Sequence, residues 1–348
     1  MLLNILFISA VAIAVLVDGS VADWLIWAVP VAGIAQLALV WIAASRAGFR
    51  LTFRWPRMTP DLKHLAVIAA PAALAGGVVQ INLVVGQQVA SYYDRAVSWL
   101  YNADRLYQLP LGVVGIAIGI VLLPDLSRRL RAGDRDGGQH ALTRAGELAL
   151  ALTIPAAVAL MIVPIPLVSV LFERGLVTAQ DTAATAAAVA IYGLGLPSFV
   201  LQKVLQPLYF AREDTKTPFY FALVGMIVNA VLAVGLAYSI GWLASAIAAT
   251  VAGWVMVLLL LIGARKLGPE ARFAAGFGVR IFKITLASIG MGAVLWVAAL
   301  LMTPGLNTAG IRYIALLALV SIGMASYAMF GQLIGAFRLS ELRAALRR

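Results

Sequence analysis

Cysteine is absent from this sequence, and histidine is nearly so. The 348 residues contain no Cys and two His, His64 and His140, both in basic stretches. The lack of thiols excludes disulfides, thiolate metal sites and a cysteine nucleophile, and two His offer little for a metal site. Charged residues are also scarce at 12%, while hydrophobic residues reach 63%. Soluble domains average about 25% charged residues, so the composition predicts a membrane protein.

Sequence signatures of enzymes are missing as well. We find no P-loop, no Gly-rich dinucleotide fingerprint after a strand, no Ser/His/Asp set and no metal-ligand cluster. An intrinsic ATPase is therefore excluded, and neither an enzyme nor a cofactor is predicted. A membrane-embedded glycolipid enzyme or a non-transporting scaffold stays as an alternative of another class. Such an enzyme would need a pair of catalytic carboxylates in its loops. Asp134 and Asp136 lie among Arg and Gly, which favours a solvated loop.

Long apolar runs are what the sequence has in abundance. About 17–25 predominantly apolar residues cross a bilayer as a helix. On that criterion we predict an all-α, polytopic membrane protein with about ten transmembrane helices. The predicted spans are 1–17, 21–44, 64–90, 98–124, 143–170, 182–210, 218–238, 242–264, 280–302 and 310–335.

Lysine and arginine are distributed unequally between alternate links. Most of the 26 Lys and Arg fall in the links on one side and in the C-terminal tail, whereas the other side holds Arg95, Arg174 and Arg312. By the positive-inside rule, the basic side and both termini are predicted to be cytoplasmic. Because the net charge of +11 comes from short separate links, we predict no nucleic-acid partner. The basic link 265–280 either lies on the anionic inner leaflet or only signals topology.

The most informative segment is 100–124, which carries Asp104 and Arg105 near one end of a predicted span. A charge at membrane depth costs about 2.5–3.5 kcal/mol by insertion measurements, so it needs a wet cavity, a partner or a ligand. We interpret Arg105 as a guanidinium that binds phosphate or carboxylate, against the alternative of an internal ion pair. Asp104 lies about 100° further round the helix and is predicted to meet another helix. Helical spacing places Arg105 on a polar-then-small stripe of Tyr101, Arg105, Gln108, Gly112, Gly115 and Gly119.

Two further groups of polar residues lie within predicted spans. Lys203, beside Gln202 and Gln206, either faces a water-lined cavity or extends its stem to the cytoplasmic interface. Gln80 and Gln87 share one face of the third span, where they either line the cavity or form hydrogen bonds between close-packed helices.

Proline and small polar residues predict the ends of several helices. Pro155, Pro164 and Pro166 predict that the fifth span is kinked or ends early, and Pro197 predicts a kink in the sixth. In 214–218, Thr217 is predicted as the N-cap of the next helix with Pro218 at its first position. Asp181 and Thr182 are predicted to cap the sixth span.

Three stretches resemble one family. The run 101–127, which includes Asn-Ala-Asp-Arg at 102–105, is similar to the MurJ (MviN) family of lipid II flippases. The stretches Leu-Phe-Glu-Arg-Gly at 171–175 and Asp-Thr-Lys-Thr-Pro at 214–218 match the same family in order and spacing. The resemblance extends over the whole chain.

The resemblance implies a bundle of the multidrug/oligosaccharidyl-lipid/polysaccharide exporter superfamily, in which two helical lobes face a central cavity. It implies transport of undecaprenyl-diphosphate-linked peptidoglycan precursor from the inner to the outer leaflet of the bacterial inner membrane by alternating access. Membrane lipids and cell-wall synthesis proteins are the further partners it implies. The alternatives are other transporters of the superfamily, a polysaccharide-lipid flippase or a cation-coupled drug exporter.

The resemblance also assigns regions and site residues. It makes 1–62 the remnant of a first lobe without four helices, 63–268 a complete second lobe, and 269–348 a two-helix lipid groove with a tail. Arg105 and its neighbour Asp104 match the family's cavity pair, and Gln108 stands where the family often has Glu. Some members resemble sodium binders in the second lobe, but Asn229 has no carboxylate beside it, so no metal is predicted. We predict that Arg105, Asp104, Gln108, Lys203, Gln80 and Gln87 bind substrate, and that Gly112, Gly115 and Gly119 serve helix packing or gating.

Overall fold

The protein is helical throughout the part that the structure describes. The computed structural model describes residues 2–17, 19–48, 59–308 and 310–336, but not the side chains of 61, 64–76, 79, 116–121, 123 and 130–131. No strand occurs among these described residues. The helices are α1 (Leu2–Leu16), α2 (Val21–Arg46), α3 (Pro60–Ala90), α4 (Ala96–Arg131), α5 (Arg135–Ile162), α6 (Pro164–Phe172), α7 (Ala179–Phe210), α8 (Lys216–Ile240), α9 (Leu243–Ala264), α10 (Phe277–Leu301), α11 (Thr303–Asn307) and α12 (Arg312–Leu333), with a 3₁₀ turn at Pro269–Ala271.

The predicted all-α, polytopic fold class is confirmed. In the described part of the chain, seven helices are long and apolar enough to cross a membrane: α2, α5, α7, α8, α9, α10 and α12. Each of the ten predicted spans coincides with a helix over most of its length, but a count of ten crossings stays a prediction. The 36 residues of α4 correspond to about 54 Å, so this helix is longer than the bilayer core.

The chain divides into two compact units, Met1–Val67 and Ile68–Arg348. In the first unit α1 packs against α2, with Ala10 and Ala14 buried on one helix and Ala28 and Ala32 on the other. Small residues one turn apart allow close approach of membrane helices. The predicted boundaries after 62 and after 268 stay predictions.

In the second unit, α7 is the central helix. It packs against α4, α5 and α9, and its buried side chains include Val189, Leu196 and Leu205. Outside this core, α8 packs on α9, while α10 packs on both α5 and α12. Because α4 and α7 lie against each other along their lengths, residues of these two helices form the candidate site.

The prolines act as predicted where the fifth span ends early, whereas the kink predicted at Pro197 stays a prediction. The fifth span breaks at Val163, where α5 ends, and Pro164 occupies the first position of α6. A proline tolerates this position because its missing N–H has no helical partner there. Pro197 does not interrupt α7, which continues through both Pro197 and Pro207 to Phe210. Likewise α4 continues through Pro110 and Pro124.

One predicted helix cap is wrong, and another is right only in part, since Asp181 takes part in the cap of α7 but is not its N-cap residue. The helix α8 begins at Lys216 with Thr215 as its N-cap residue, and the Thr217 N–H donates to Asp214 Oδ1 over 3.0 Å. The carboxylate of Asp214 thus satisfies an amide that the prediction assigned to a Thr217 cap. The N-cap of α7 is Thr178, three residues earlier than predicted, in a reciprocal capping box with Asp181.

Candidate functional site

Arg105 lies on an open face of α4. The side chains of Arg105, Tyr101 and Gln108 are exposed on the surface of the protein, as the stripe predicts. The guanidinium donates a hydrogen bond to the Tyr101 hydroxyl, and its Cζ lies 4.7 Å from the centre of that ring. Tyrosine one turn away therefore orients Arg105 by a hydrogen bond and a cation–π contact without cancelling its charge.

Arg105 has no ion-pair partner in the part of the chain that the structure describes. The ion pairs found there join other residues, namely Arg95 with Asp181, Arg128 and Arg129 with Asp125, Arg129 with Asp134, Arg212 with Glu270 and Arg280 with Glu147. The alternative interpretation, an internal ion pair that joins two helices, is therefore not observed among the described residues. The positive charge remains available to an anion.

Asp104 is held within its own helix. Gln108 donates a hydrogen bond from Nε2 to the Asp104 carboxylate. Residues four apart are neighbours on a helix surface, so this bond stays within α4. The prediction that Asp104 meets another helix is therefore wrong as far as its hydrogen bond is concerned. Gln108 is occupied by the same bond, which ties the Asp104 carboxylate to a neutral amide.

Lys203 is a second positive residue, and it lies on α7 next to the stripe of α4. Aromatic contacts hold α7 against α4, with the Tyr107 ring 5.3 Å from that of Tyr192 and 5.6 Å from that of Phe199. Further along the pair, a methyl group placed on Gly115 would lie 3.7 Å from Lys203 Cγ. The stem of Lys203 therefore passes the small half of the stripe. Lys203 is exposed from the protein, about ten residues or 15 Å along the helix axis from Arg105.

The three stripe glycines differ in what can be described around them. A methyl group on Gly112 would meet nothing within 4 Å among the described residues, and Gly115 has only the ordinary contact with Lys203. Gly119 is helical, but its surroundings lie outside the described residues. Packing within the described part of this unit therefore does not require glycine at 112.

The polar residues of α3 divide into two sets. Gln80 and Gln87 are exposed, and no hydrogen bond among the described residues joins them to Arg105. The inward set ties α3 to α8 and α9, since Ser245 Oγ donates to Gly86 O over 3.0 Å and Asn229 Nδ2 donates to Asn82 O over 3.5 Å. The alternative of interhelical hydrogen bonding thus applies to α3, but not to Gln80 and Gln87.

At one end of the unit, an acidic residue is saturated with donors. Asp181 accepts from Trp99 Nε1 at 2.9 Å and from Arg95 Nη1 at 3.1 Å, besides the amide and hydroxyl of Thr178. Trp99 also contacts the ring of Trp242, 5.0 Å away. This cluster joins the beginnings of α4 and α7 to the α8–α9 link.

At the other end, a second ion pair holds the link before α10. Arg212 donates to Glu270 over 3.0 Å and to the Leu208 carbonyl over 2.7 Å. Burial raises the pKa of the Glu270 carboxyl, but a main-chain hydrogen bond and the Arg212 charge outweigh it, so the pKa lies below its usual range. Sequence reasoning missed this pair because its partners lie in two different links.

A cavity of about 380 Å³ opens beside the Asp-Thr-Lys-Thr-Pro stretch. Asp214, Thr217, Tyr220 and Lys266 line it, where α7, α8 and α9 meet. Burial raises the pKa of Asp214, but hydrogen bonds from Thr217 and Lys216 and the Lys216 charge hold it below its usual range. The carboxylate is therefore charged and occupied by the start of α8.

The fold and this stripe define a polytopic helical membrane protein with an exposed cation on α4 that pairs with no carboxylate among the described residues. Solved structures agree. A lipid II flippase MurJ in an inward closed conformation is 25% identical, with a TM-score of 0.76, and the match covers 95% of this chain and 65% of that one. A MOP superfamily transporter from Pyrococcus furiosus shares the fold at 14% identity and a TM-score of 0.50, over 77% of this chain and 62% of that one.

Sequence comparisons specify the family. The family model described as lipid II flippase MurJ matches residues 1–329, and the chain belongs to this family. A probable lipid II flippase MurJ of Rhizobium meliloti is 44% identical over 92% of this chain and 61% of that protein. The corresponding protein of Rhizobium tropici is 39% identical over 99% of this chain and 66% of that protein. This chain thus spans less than two thirds of the length of either relative. The family resemblance predicted from the motifs is confirmed.

Proposed function

We propose that this chain takes part in flipping a lipid-linked peptidoglycan precursor across the bacterial inner membrane by alternating access. The observation that carries the proposal is Arg105, exposed on α4 and not paired with any carboxylate that the structure describes. Family membership supplies the substrate class, and the unpaired guanidinium matches the chemistry of its diphosphate.

Each member of the site has a role in this proposal. Arg105, oriented by Tyr101, forms charge-assisted hydrogen bonds to the diphosphate. Lys203 adds positive potential along the stripe. Asp104 and Gln108 satisfy each other and supply polar surface, while Gln80 and Gln87 line the cavity. The open Gly112, with Gly115 and Gly119, lets a facing helix approach when the cavity closes. Energy comes from the membrane potential or an ion gradient, because the sequence has no nucleotide-binding signature.

The cation-exporting alternative is less compatible with this stripe. Exchange of a cation against protons or sodium requires an available carboxylate in the cavity. Asp104 is the only carboxylate in this part of α4, and it is hydrogen-bonded to Gln108. Preferential binding of an organic cation by the purified chain would favour that alternative.

The test is complementation in a cell depleted of its own flippase. The gene expressed is a chimera that adds to this chain the part of the Rhizobium meliloti relative that it does not cover. We expect the chimera to support growth, Arg105→Ala to abolish it and Arg105→Lys to restore part of it. The matched control is Arg265→Gln, which removes one exposed positive charge outside the stripe. Normal growth with Arg105→Ala would reject the role assigned to Arg105.

Orientation is proposed on the distribution of basic residues, with both termini in the cytoplasm. The natural absence of cysteine makes the test direct, since one thiol can be introduced at a time. Leu176→Cys, at a position 94% exposed in the α6–α7 link, is expected to react with a membrane-impermeant maleimide added outside. Arg265→Cys is expected to react only after permeabilisation. The reverse labelling pattern would show that the orientation is opposite to the one proposed. Cell-wall synthesis proteins remain proposed partners.

A further inference from the structure

We propose a second anion site, in which Arg174 and Arg312 around the Tyr313 phenol bind the phosphate or diphosphate of a membrane lipid. The site lies where α6 ends and α12 begins, at the end of the unit proposed above to face outward. It is distinct from the Arg105 stripe and has different elements, namely the α6–α7 link and the first turn of α12.

Arg312 is held in place by neutral groups. Its Nη1 donates to the Glu173 carbonyl over 3.3 Å, and its Nη2 donates to the Tyr313 hydroxyl over 3.2 Å. Its Cζ also lies 5.1 Å from the centre of the Tyr313 ring. These contacts orient the guanidinium, but a carbonyl and a phenol leave its full positive charge.

Arg174 approaches the same phenol from the α6–α7 link. The Glu173 carbonyl that accepts from Arg312 belongs to the residue directly before Arg174, so this link lies against the first turn of α12, and the Arg174 charge acts on the Tyr313 phenol. The turn that carries Arg174 is closed by a Val177 N–H to Arg174 O hydrogen bond of 3.2 Å and passes through Gly175 at φ +64°. The link thus brings a second arginine next to Arg312. Like charges brought together repel each other, and a bound anion removes that repulsion.

Neither cation has an ion-pair partner within the described ranges. The acidic side chain nearest in sequence, Glu173, accepts from Thr182 Oγ1 over 2.9 Å and is thereby held on α7. The third arginine predicted on this side, Arg95, shows the contrast, because Asp181 pairs with it. Two of these three cations are therefore available to a ligand, and one is used by the fold.

Packing and surroundings favour a lipid as the source of the anion. Leu316 and Leu319 bury the inner face of α12 in a cluster with Val170 of α6, which fixes Arg312 relative to the link. The outer face of α12 is apolar and exposed, with Leu317 four residues after Tyr313 on the same side. A phosphate at the arginines would therefore continue into an apolar chain along α12.

The experiment is calorimetric titration of the full chain in detergent micelles with farnesyl diphosphate, a short lipid diphosphate. All measurements use an Arg105→Gln background, so that binding at the stripe does not contribute. We expect the Arg105→Gln protein to bind farnesyl diphosphate. Adding both Arg174→Gln and Arg312→Gln is expected to weaken this binding about tenfold to a hundredfold, because hydrogen bonds between charged groups are lost. Arg265→Gln, the matched control, is expected to change nothing.

Two further probes separate the lipid from its parts. Farnesol, which has the chain without phosphate, is expected not to respond to the arginine changes, and inorganic pyrophosphate is expected to bind more weakly than farnesyl diphosphate. Equal affinity for pyrophosphate would overturn the lipid assignment. Unchanged binding of farnesyl diphosphate after the arginine changes would overturn the site.

A charge-preserving variant covers the case in which the double Gln variant does not fold. Arg174→Lys with Arg312→Lys keeps both charges but loses the guanidinium geometry, so binding is expected to weaken by a smaller factor. Full wild-type affinity in this variant would overturn a site built on the two guanidiniums. Loss of binding on Arg105→Gln alone, with no effect at 174 and 312, would support the stripe and reject this second site.

Discussion

Arg105 lies on the long helix α4 and Arg212 lies two residues after the end of α7, yet the two arginines are used differently. Arg212, near the end of α7, donates to a carboxylate and to main-chain carbonyls, and its side chain is 20% exposed. Arg105, on the open face of α4, contacts a tyrosine of its own helix and no described carboxylate. The comparison teaches that a cation paired with a carboxylate can join two links of the fold. Arg105 makes no such pair among the described residues, and it is the cation that we propose for a ligand. Stability and binding should therefore respond to different arginines.

The largest effect on stability is expected from Arg212→Gln. Removing one partner of a mostly buried ion pair leaves Glu270 uncompensated and costs about 3–5 kcal/mol in the free energy of unfolding. Thermal unfolding in detergent measures the change. Glu270→Gln together with Arg212→Gln is expected to recover part of the loss, because no lone charge is then buried. An unchanged unfolding temperature in Arg212→Gln would contradict the structural role assigned to Arg212.

The glycines give the next largest difference. A methyl group on Gly253 would lie 2.6 Å from Ser198 Oγ and 3.1 Å from a carbon of the Phe199 ring, whereas one on Gly112 meets nothing within 4 Å among the described residues. We expect Gly253→Ala to lower the free energy of unfolding by about 1–3 kcal/mol through overpacking. Gly112→Ala is expected to leave the free energy of unfolding unchanged or to raise it slightly. Unfolding of both variants in the same detergent is the measurement. Reduced complementation by stable Gly112→Ala would sharpen the proposed role in closure.

The pH dependence of stability is a third, smaller test. Because the pKa of Glu270 lies below its ordinary value of 4.5, the contribution of the ion pair is complete above that value and is lost as the pH falls through the folded-state pKa. The slope for one group is at most about 1.4 kcal/mol per pH unit. Unfolding of the wild type and of Glu270→Gln between pH 7 and pH 3.5 is the measurement. The advantage of the wild type should shrink only below about pH 4.5.

The smallest effect on stability is expected at the candidate site. Arg105→Gln removes no described ion pair from an exposed position, so the free energy of unfolding should stay close to that of the wild type. The same variant is expected to lose complementation in the chimera. A large loss of stability in Arg105→Gln would show that the guanidinium is a structural group after all.

Local signals predicted much of this fold, and long-range pairings account for what they missed. Apolar runs placed the helices, and Pro164 marked the break between α5 and α6. Caps were assigned to the wrong residues because several hydroxyl and carboxyl side chains precede α7 and α8, and which one turns toward the amides depends on the incoming chain. Glu270 is 58 residues from Arg212, and no periodicity connects them.

The site followed the same rule. The stripe on α4 is a local property, so Arg105 and Gln108 were predicted together with their exposure. The bonds that these residues make are between neighbours one turn apart, and Tyr101 and Gln108 could have been assigned to them from spacing alone. The contact of Lys203 with Gly115 depends on how α7 packs against α4, which a single sequence does not specify.

The prolines inside α4 and α7 have one more consequence. Proline has no amide hydrogen, so the carbonyls of Leu106 and Gly193, four residues before Pro110 and Pro197, lack their usual helical donor. Bending at these points breaks no main-chain hydrogen bond. Each of the two helices that carry Arg105 and Lys203 thus contains a position at which a bend would cost no main-chain hydrogen bond.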